Sequence, residues 1–219
     1  MLRRFADRRE AGRVLAGLLA EYAGRNDVIV LGLPRGGVPV AFQVARALDA
    51  PLDFFLVRKL GAPGHQELAM GAIASGDVVV INDDVVNALN ISADVVTAEV
   101  ESEREELTRR ETTYRGGRPL VDARDKIAIL VDDGLATGST MRAAVLALRR
   151  KEPARIIVAV PVGAASTCDE LRSIADDCVC SVTPENLRAV GMWYDDFAQT
   201  SDDEVCDLLT RRKSGEPPS

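Results

Sequence analysis

Residues 129–140, ILVDDGLATGST, decide the fold. An apolar strand runs straight into two adjacent carboxylates, Asp132 and Asp133, and then into a glycine- and hydroxyl-rich turn ahead of a helix. Carboxylates repel anions. The turn of Thr137, Gly138, Ser139 and Thr140 suits one, because small side chains let backbone N–H groups and hydroxyls converge where a helix starts. A ligand that satisfies both halves carries a polyhydroxylated sugar between phosphates: the carboxylates accept hydrogen bonds from sugar hydroxyls while the turn holds a terminal phosphate. A P-loop is a poorer fit, since it needs Gly-Lys-Ser/Thr where this chain has Gly138, Ser139 and Thr140. Phosphatases with an aspartyl nucleophile space their aspartates apart, whereas Asp132 and Asp133 adjoin.

Outward from that stretch, apolar runs at 28–33, 52–57, 127–131 and 156–160 are bounded by turn signals and read as strands buried on both faces. Helical patterns follow three of them, at 38–48, 139–150 and 164–175. The alternation predicts an α/β fold with a doubly wound parallel sheet, its first and fourth major strands side by side at the switch point. A helix from Asp7 to about Gly24 comes first, with Val14, Leu15, Leu18, Leu19 and Tyr22 at helical spacing. Two segments break the alternation. ELAMGAIASGDVVVIN reads as a hairpin turning at Ser75, Gly76 and Asp77, and 93–113 as a charged helix with Val96, Val100 and Leu107 on a narrow apolar stripe. Asp83 and Asp84 read as a turn. Beyond Cys180 the pattern is irregular until an acidic helix near 202–211. One domain over 1–212, with a core of about 28–180 and a disordered tail at 213–219, is the expectation.

The chain has 219 residues, 47% of them apolar and 28% charged, which fits a globular domain rather than a disordered one. A formal net charge of −7 argues against a nucleic-acid partner, because nonspecific binding needs a basic patch to displace counterions. Any anion must be held by a local site. No apolar run approaches the roughly 20 residues that span a bilayer, and MLRRFADRRE leads into a helix pattern instead of a signal-peptide core. No membrane partner and a cytoplasmic location are expected. Cys168, Cys178, Cys180 and Cys206 include no C-x-x-C pair and read as buried reduced thiols.

The run at 28–33 ends in LGLPRGGVPVA, where Gly36 and Gly37 permit close backbone approach or positive φ and Arg35 presents a fork of donors just before a helix. By itself this is an anion site or a tight turn with a surface arginine. Gly32, Gly36 and Gly37 do not fit G-x-G-x-x-G, which disfavours a dinucleotide.

With these pieces in order along about 28–162, the chain resembles the type I phosphoribosyltransferases. ILVDDGLATGST is similar to their phosphoribosyl-pyrophosphate signature and is closest in motif to the adenine and orotate branches. LPRGG is similar to their pyrophosphate loop, and VRKLGAPGHQELAMGA to their mobile catalytic loop. The resemblance implies a small C-terminal hood formed with the terminal segments and a magnesium-dependent pentosyltransferase. Its substrates would be 5-phosphoribosyl 1-pyrophosphate and a nitrogenous base, and its state a homodimer. Asp132 and Asp133 would hold the ribose hydroxyls and help place Mg2+, with Asp195 a weaker third metal residue. Ala136, Thr137, Gly138, Ser139 and Thr140 would grip the 5-phosphate. Arg35, Gly36 and Gly37 would hold pyrophosphate, through a cis peptide at Pro34–Arg35 as occurs in the family, while Arg58 and Lys59 steady the leaving group. Residues 61–67 would be a lid.

Departures from the family bear on the acceptor. Enzymes for 6-oxopurines carry an aspartate at the position of Ala136, so hypoxanthine and guanine are disfavoured. Glu67 is a candidate for the adenine branch's loop glutamate and equally a solvated loop charge. His65 reads as surface. Trp193 and Tyr194 are open between stacking on a heterocycle and core packing. Two other readings stand: a noncatalytic regulatory protein that binds the same ligand or a nucleotide, and a receiver-like domain, which has no use for the 137–140 loop.

Overall fold

The computed structural model describes residues 4–214, without the side chains of 65–67 and 212–214. Helix α1 (Arg8–Leu18) starts on Asp7, whose carboxylate accepts from the Glu10 N–H, while Glu10 returns to the Ala6 N–H; the reciprocal pair fixes where the helix begins. Strand β1 (Val28–Gly32) leads into α2 (Gly37–Leu48) and β2 (Leu52–Phe54). Phe55 still donates to the Gly32 carbonyl, but the chain then leaves the sheet. The apolar run at 52–57 is therefore two elements, β2 and the first residue of β3 (Val57–Ala62).

An excursion follows: β4 (His65–Ala74), β5 (Val78–Ile81), α3 (Asp83–Ala88) and α4 (Ala93–Arg115). Strands β3, β4 and β5 form an antiparallel sheet of their own. The turn between β4 and β5 sits at Ser75, Gly76 and Asp77, with positive φ at Gly76 and Asp77, as a tight hairpin requires. Asp83 and Asp84 are not a turn. Asn82 caps the Val85 N–H and both carboxylates fall in the first turn of α3, where the helix dipole favours them. Helix α4 buries Val100, Leu107 and Tyr114, a seven-residue spacing that puts one stripe against its neighbours and leaves the charged face outward.

The chain returns through β6 (Ile127–Val131), α5 (Ser139–Arg149), β7 (Arg155–Val162), α6 (Ala165–Arg172) and β8 (Asp177–Val182), and finishes in α7 (Asp202–Ser214). The main sheet is parallel in the order β2-β1-β6-β7-β8, with Val30 beside Ile129. Of the four apolar runs, the third and not the fourth lies beside β1; buried runs of equal character carry no order in their residues. Every residue of β1 and β6 is buried. Ile29, Leu31, Ala128 and Leu130 face Met141, Val145 and Leu148 of α5, while Val28, Val30, Ile127 and Ile129 face Leu15, Val40 and Val44 of α1 and α2. Helices cover both faces, which explains continuous apolar runs in place of alternation.

The two ends meet. A 3-10 turn at Val190–Trp193 leads to Tyr194, which bridges Phe5; Phe5 donates to the Trp193 carbonyl, and Asp195 and Asp196 donate to Phe5 and Ala6. All four cysteines are free, Cys168 and Cys178 buried and the other two half-buried. Among the described residues no helix is long and apolar enough to cross a membrane.

Candidate active site

Because β1 and β6 are neighbours, the turns at their C-terminal ends open on one crevice, the usual ligand position at a switch point. In the first turn the Pro34–Arg35 peptide is cis. Gly36 has helical backbone angles, φ −62° and ψ −29°, so positive φ is not the reason for glycine. The reason is contact. A Cβ on Gly36 would lie 2.0 Å from Asp133 Oδ2, and one on Gly37 would lie 2.6 Å from the Val131 carbonyl oxygen and 2.9 Å from Asp132 Cα. The turn presses directly on the paired carboxylates.

Those carboxylates differ. Asp132 Oδ1 accepts the Asp133 N–H at 2.8 Å. Burial, followed by the charge of Asp133, pushes the Asp132 carboxyl well above the usual carboxylate range. Asp133 is raised by burial too, but the Arg8 hydrogen bond, Nε to Oδ2 at 2.8 Å, opposes the shift. Tyr194 donates its hydroxyl to the Asp133 carbonyl at 2.6 Å.

The second turn is a cradle. Leu135 is tied to the Val162 carbonyl, and Thr167 donates to the Ala136 carbonyl at 3.1 Å. Gly138 takes φ +69° immediately before α5, a conformation that a side chain would strain. Thr137 and Ser139 hydroxyls lie 3.3 Å apart. Together with Asp132, Ala136, Gly138 and Val190 they line a cavity of about 170 Å³ at the helix N-terminus. The positive end of the α5 dipole favours an anion in this cavity, and the neighbouring carboxylates of Asp132 and Asp133 could accept from hydroxyls attached to it.

The remaining candidates are scattered. Arg35 reaches towards the start of α7, its Nη1 3.8 Å from Asp202 Oδ1. Arg58 pairs with Glu103 on α4. Lys59, on the other face of β3, lines a cavity of about 580 Å³ with Ser139, Arg142, Asp83 and Asp84. As folded, β3 does not present Arg58 and Lys59 to one ligand. Asp195 pairs with Arg4 at 3.1 Å. Among the described residues no three His, Cys, Asp or Glu side chains form a metal cluster, so Asp132, Asp133 and Asp195 are not assembled as one. The adjacent carboxylates do suit Mg2+ arriving on a ligand's phosphates, since that ion keeps most of its waters and needs only one or two protein oxygens. The side chains of His65 and Glu67 lie outside the described residues. Residues 61–67 are the Pro63–Gly64 turn and its flanks; β3 runs to Ala62, with its pairing to β4 shifting register on either side of Gly61.

Tyr194 is not free to stack on a base: it is 2% exposed, and its ring lies 5.7 Å from Phe5 and 4.9 Å from Phe197. Trp193 is half-buried against the cluster of Phe5, Val162 and Val182. Sequence reasoning missed Arg8, Val190 and Phe197. The first lies in a charged helix start that looks like surface, and the others in a stretch without periodicity.

With this geometry in view, the family profile described as phosphoribosyl transferase domain matches residues 6–88 and 88–196. The chain belongs to the phosphoribosyl transferase family. It is 47% identical over 207 residues to Rv0571c of Mycobacterium tuberculosis, named as a candidate phosphoribosyl transferase, covering 94% of this chain and 46% of that one. This chain thus spans about half the length of that relative. It is also similar to the bifunctional protein PyrR of Clostridium acetobutylicum, 27% identical over 156 residues, covering 71% of this chain and 68% of that one. Among solved structures, TT1426 of Thermus thermophilus superposes with a TM-score of 0.88 at 39% identity, over 95% of this chain and 98% of that one.

Proposed function

We propose that the protein transfers phosphoribose from 5-phosphoribosyl 1-pyrophosphate to a nitrogenous base and releases pyrophosphate, with Mg2+ bound alongside the pyrophosphate. One observation carries the reading: the glycine turn after β1 touches the paired carboxylates after β6, with Gly36 against Asp133 and Gly37 against Asp132. A pyrophosphate in one turn and a ribose on the carboxylates would then be joined at a single carbon. Ala136, Thr137, Gly138, Ser139 and Thr140 take the 5-phosphate through N–H groups and hydroxyls. Asp132 and Asp133 accept from the ribose hydroxyls and stabilise the positive charge that develops on the sugar ring as the C–O bond breaks. Arg35, with the backbone of Gly36 and Gly37, takes the negative charge gathering on the leaving group. Mg2+ held beside Asp132 and Asp133 would supply further charge neutralisation there.

No protein nucleophile is needed, which leaves the cysteines a packing role. For Arg58 and Lys59 to act on the leaving group, the β3–β4 hairpin must swing and Arg58 must leave Glu103; closure of 61–67 would also exclude water from the activated sugar. The test is pyrophosphate release from phosphoribosyl pyrophosphate and magnesium with a panel of purine, pyrimidine and pyridine acceptors. Turnover with one acceptor supports transfer. Tight binding without turnover on any acceptor leaves a noncatalytic binder and overturns the enzyme.

A further inference from the structure

Arg8 lies outside both loops, 125 positions from the carboxylate it binds. Its guanidinium is held from three sides. Nε donates to Asp133 Oδ2 at 2.8 Å, Nη1 donates to the Ala198 carbonyl at 2.7 Å, and Cζ sits 3.9 Å from the centre of the Phe197 ring. The Arg8 side chain is 12% exposed and that of Asp133 is 17% exposed, so this is no solvated surface pair. The same oxygen, Asp133 Oδ2, lies 2.0 Å from where a Cβ on Gly36 would sit, and Arg8 Nε is 3.3 Å from that point. Asp133 is therefore clamped between the N-terminal helix and the turn after β1. Asp132 makes no ion pair among the described residues and takes a backbone N–H instead.

We propose that Arg8 is a positioning residue, a built-in counter-cation that fixes Asp133 as the acceptor for a sugar hydroxyl and leaves Asp132 as the carboxylate for a ligand-borne divalent cation. The inference rests on the phosphoribosyl reading above. A carboxylate already paired with a guanidinium attracts a further cation weakly, yet its other oxygen still accepts from a neutral hydroxyl. A carboxylate without a cation has the opposite preference, and hard oxygen is what Mg2+ takes. The clamp also makes Arg8 a fixture, since release would give up the Phe197 stack and the Ala198 bond together.

Calorimetry with inorganic phosphate, ribose 5-phosphate and phosphoribosyl pyrophosphate, the last with and without magnesium, separates the parts. Arg8→Gln should weaken ribose 5-phosphate about tenfold, the scale of one charge-assisted hydrogen bond, and leave inorganic phosphate unchanged. Added guanidinium ion at millimolar concentration should restore ribose 5-phosphate binding to Arg8→Ala, because the slot between Phe197 and the Ala198 carbonyl remains; a role in folding alone would not respond. Asp133→Asn should lower ribose 5-phosphate affinity without magnesium, and Asp132→Asn should remove the gain that magnesium gives phosphoribosyl pyrophosphate. Unchanged ribose 5-phosphate binding in Arg8→Gln, or equal loss of phosphate and ribose 5-phosphate without guanidinium rescue, overturns the role of Arg8 and leaves the phosphoribosyl reading standing. Failure of the wild-type chain to bind any of the three ligands overturns both.

Discussion

The turn at 34–37 and the turn at 136–140 face the same crevice, yet one is packed against protein and the other against solvent. In the first, Gly36 and Gly37 leave no room for a methyl group before backbone and carboxylate atoms are reached. In the second, Ala136, Thr137 and Thr140 are exposed, and the one glycine, Gly138, is required by its left-handed backbone. The first turn has its shape once the sheet has formed, whereas the second leaves Ala136, Thr137 and Thr140 open to solvent, where a ligand could reach them. Pre-organisation and adaptability are thus divided between two strands that sit side by side.

The largest effect is expected where both turns converge. The double variant Asp132→Asn/Asp133→Asn should fold yet lose transfer at least about 100-fold, the scale of a removed electrostatic contribution; near wild-type turnover in the pyrophosphate-release assay would break the proposed site. Next is Arg35→Ala. It should weaken pyrophosphate by roughly 1.5–3 kcal/mol while sparing ribose 5-phosphate, as for a hydrogen bond to a charged group. Equal losses in calorimetry would mean the two turns have been given each other's phosphates.

The packed and open turns should also respond differently to one added methyl group. Gly37→Ala drives a Cβ into the Val131 carbonyl and the Asp132 backbone, so a loss of about 1–3 kcal/mol in urea unfolding is expected. Gly138→Ala meets the Thr167 methyl instead, a side chain that can turn only by giving up its bond to the Ala136 carbonyl, and strains one left-handed residue; about 1–2 kcal/mol is expected, with a clear loss of phosphate binding. A reversed order would contradict the division drawn between the turns. Smallest is Asp132→Asn alone, which should stabilise the fold by about 0.5–1 kcal/mol near neutral pH. Its carboxyl titrates above the unfolded value, so ionisation disfavours the folded state as pH rises. The gap to wild type should close as pH falls below about 4, where the group is protonated in both states. Asp133→Asn should gain less than Asp132→Asn at neutral pH, because the Asp133 carboxyl is raised by burial as well but its loss also gives up the ion pair with Arg8.

The strands and both turns were legible because their causes are local. A strand buried on both faces must be apolar throughout, as in 127–131, and a cradle of N–H groups needs small residues next to a helix start, as in 137–140. What was not legible depends on distant partners. Arg8 reads as the first turn of a surface helix until the 193–198 segment is laid over it. Arg58 and Lys59 adjoin in sequence and so face opposite sides of β3, a split that only the placement of α4 makes consequential. Asp83 and Asp84 carry the composition of a turn as well as that of a helix N-terminus, and Asn82 decides between them. Tyr194 shows an aromatic ring to the eye, but its use here is a hydroxyl on the Asp133 carbonyl.

The meeting of the two ends has a consequence for how the protein is made. Arg4 donates to the Tyr194 carbonyl across 190 positions of chain, and Arg8 owes two of its three holds to Phe197 and Ala198. While the ribosome is still adding α7, the parallel sheet can begin to form and the glycine turn can meet the aspartates, but the segment that straps Asp133 has not yet emerged. At translation rates of about 5–20 residues per second, the nascent chain would spend several seconds with its acidic pair incompletely fitted. The crevice would then be among the last features of this domain to be finished on the ribosome, although its signature sequence is read out much earlier.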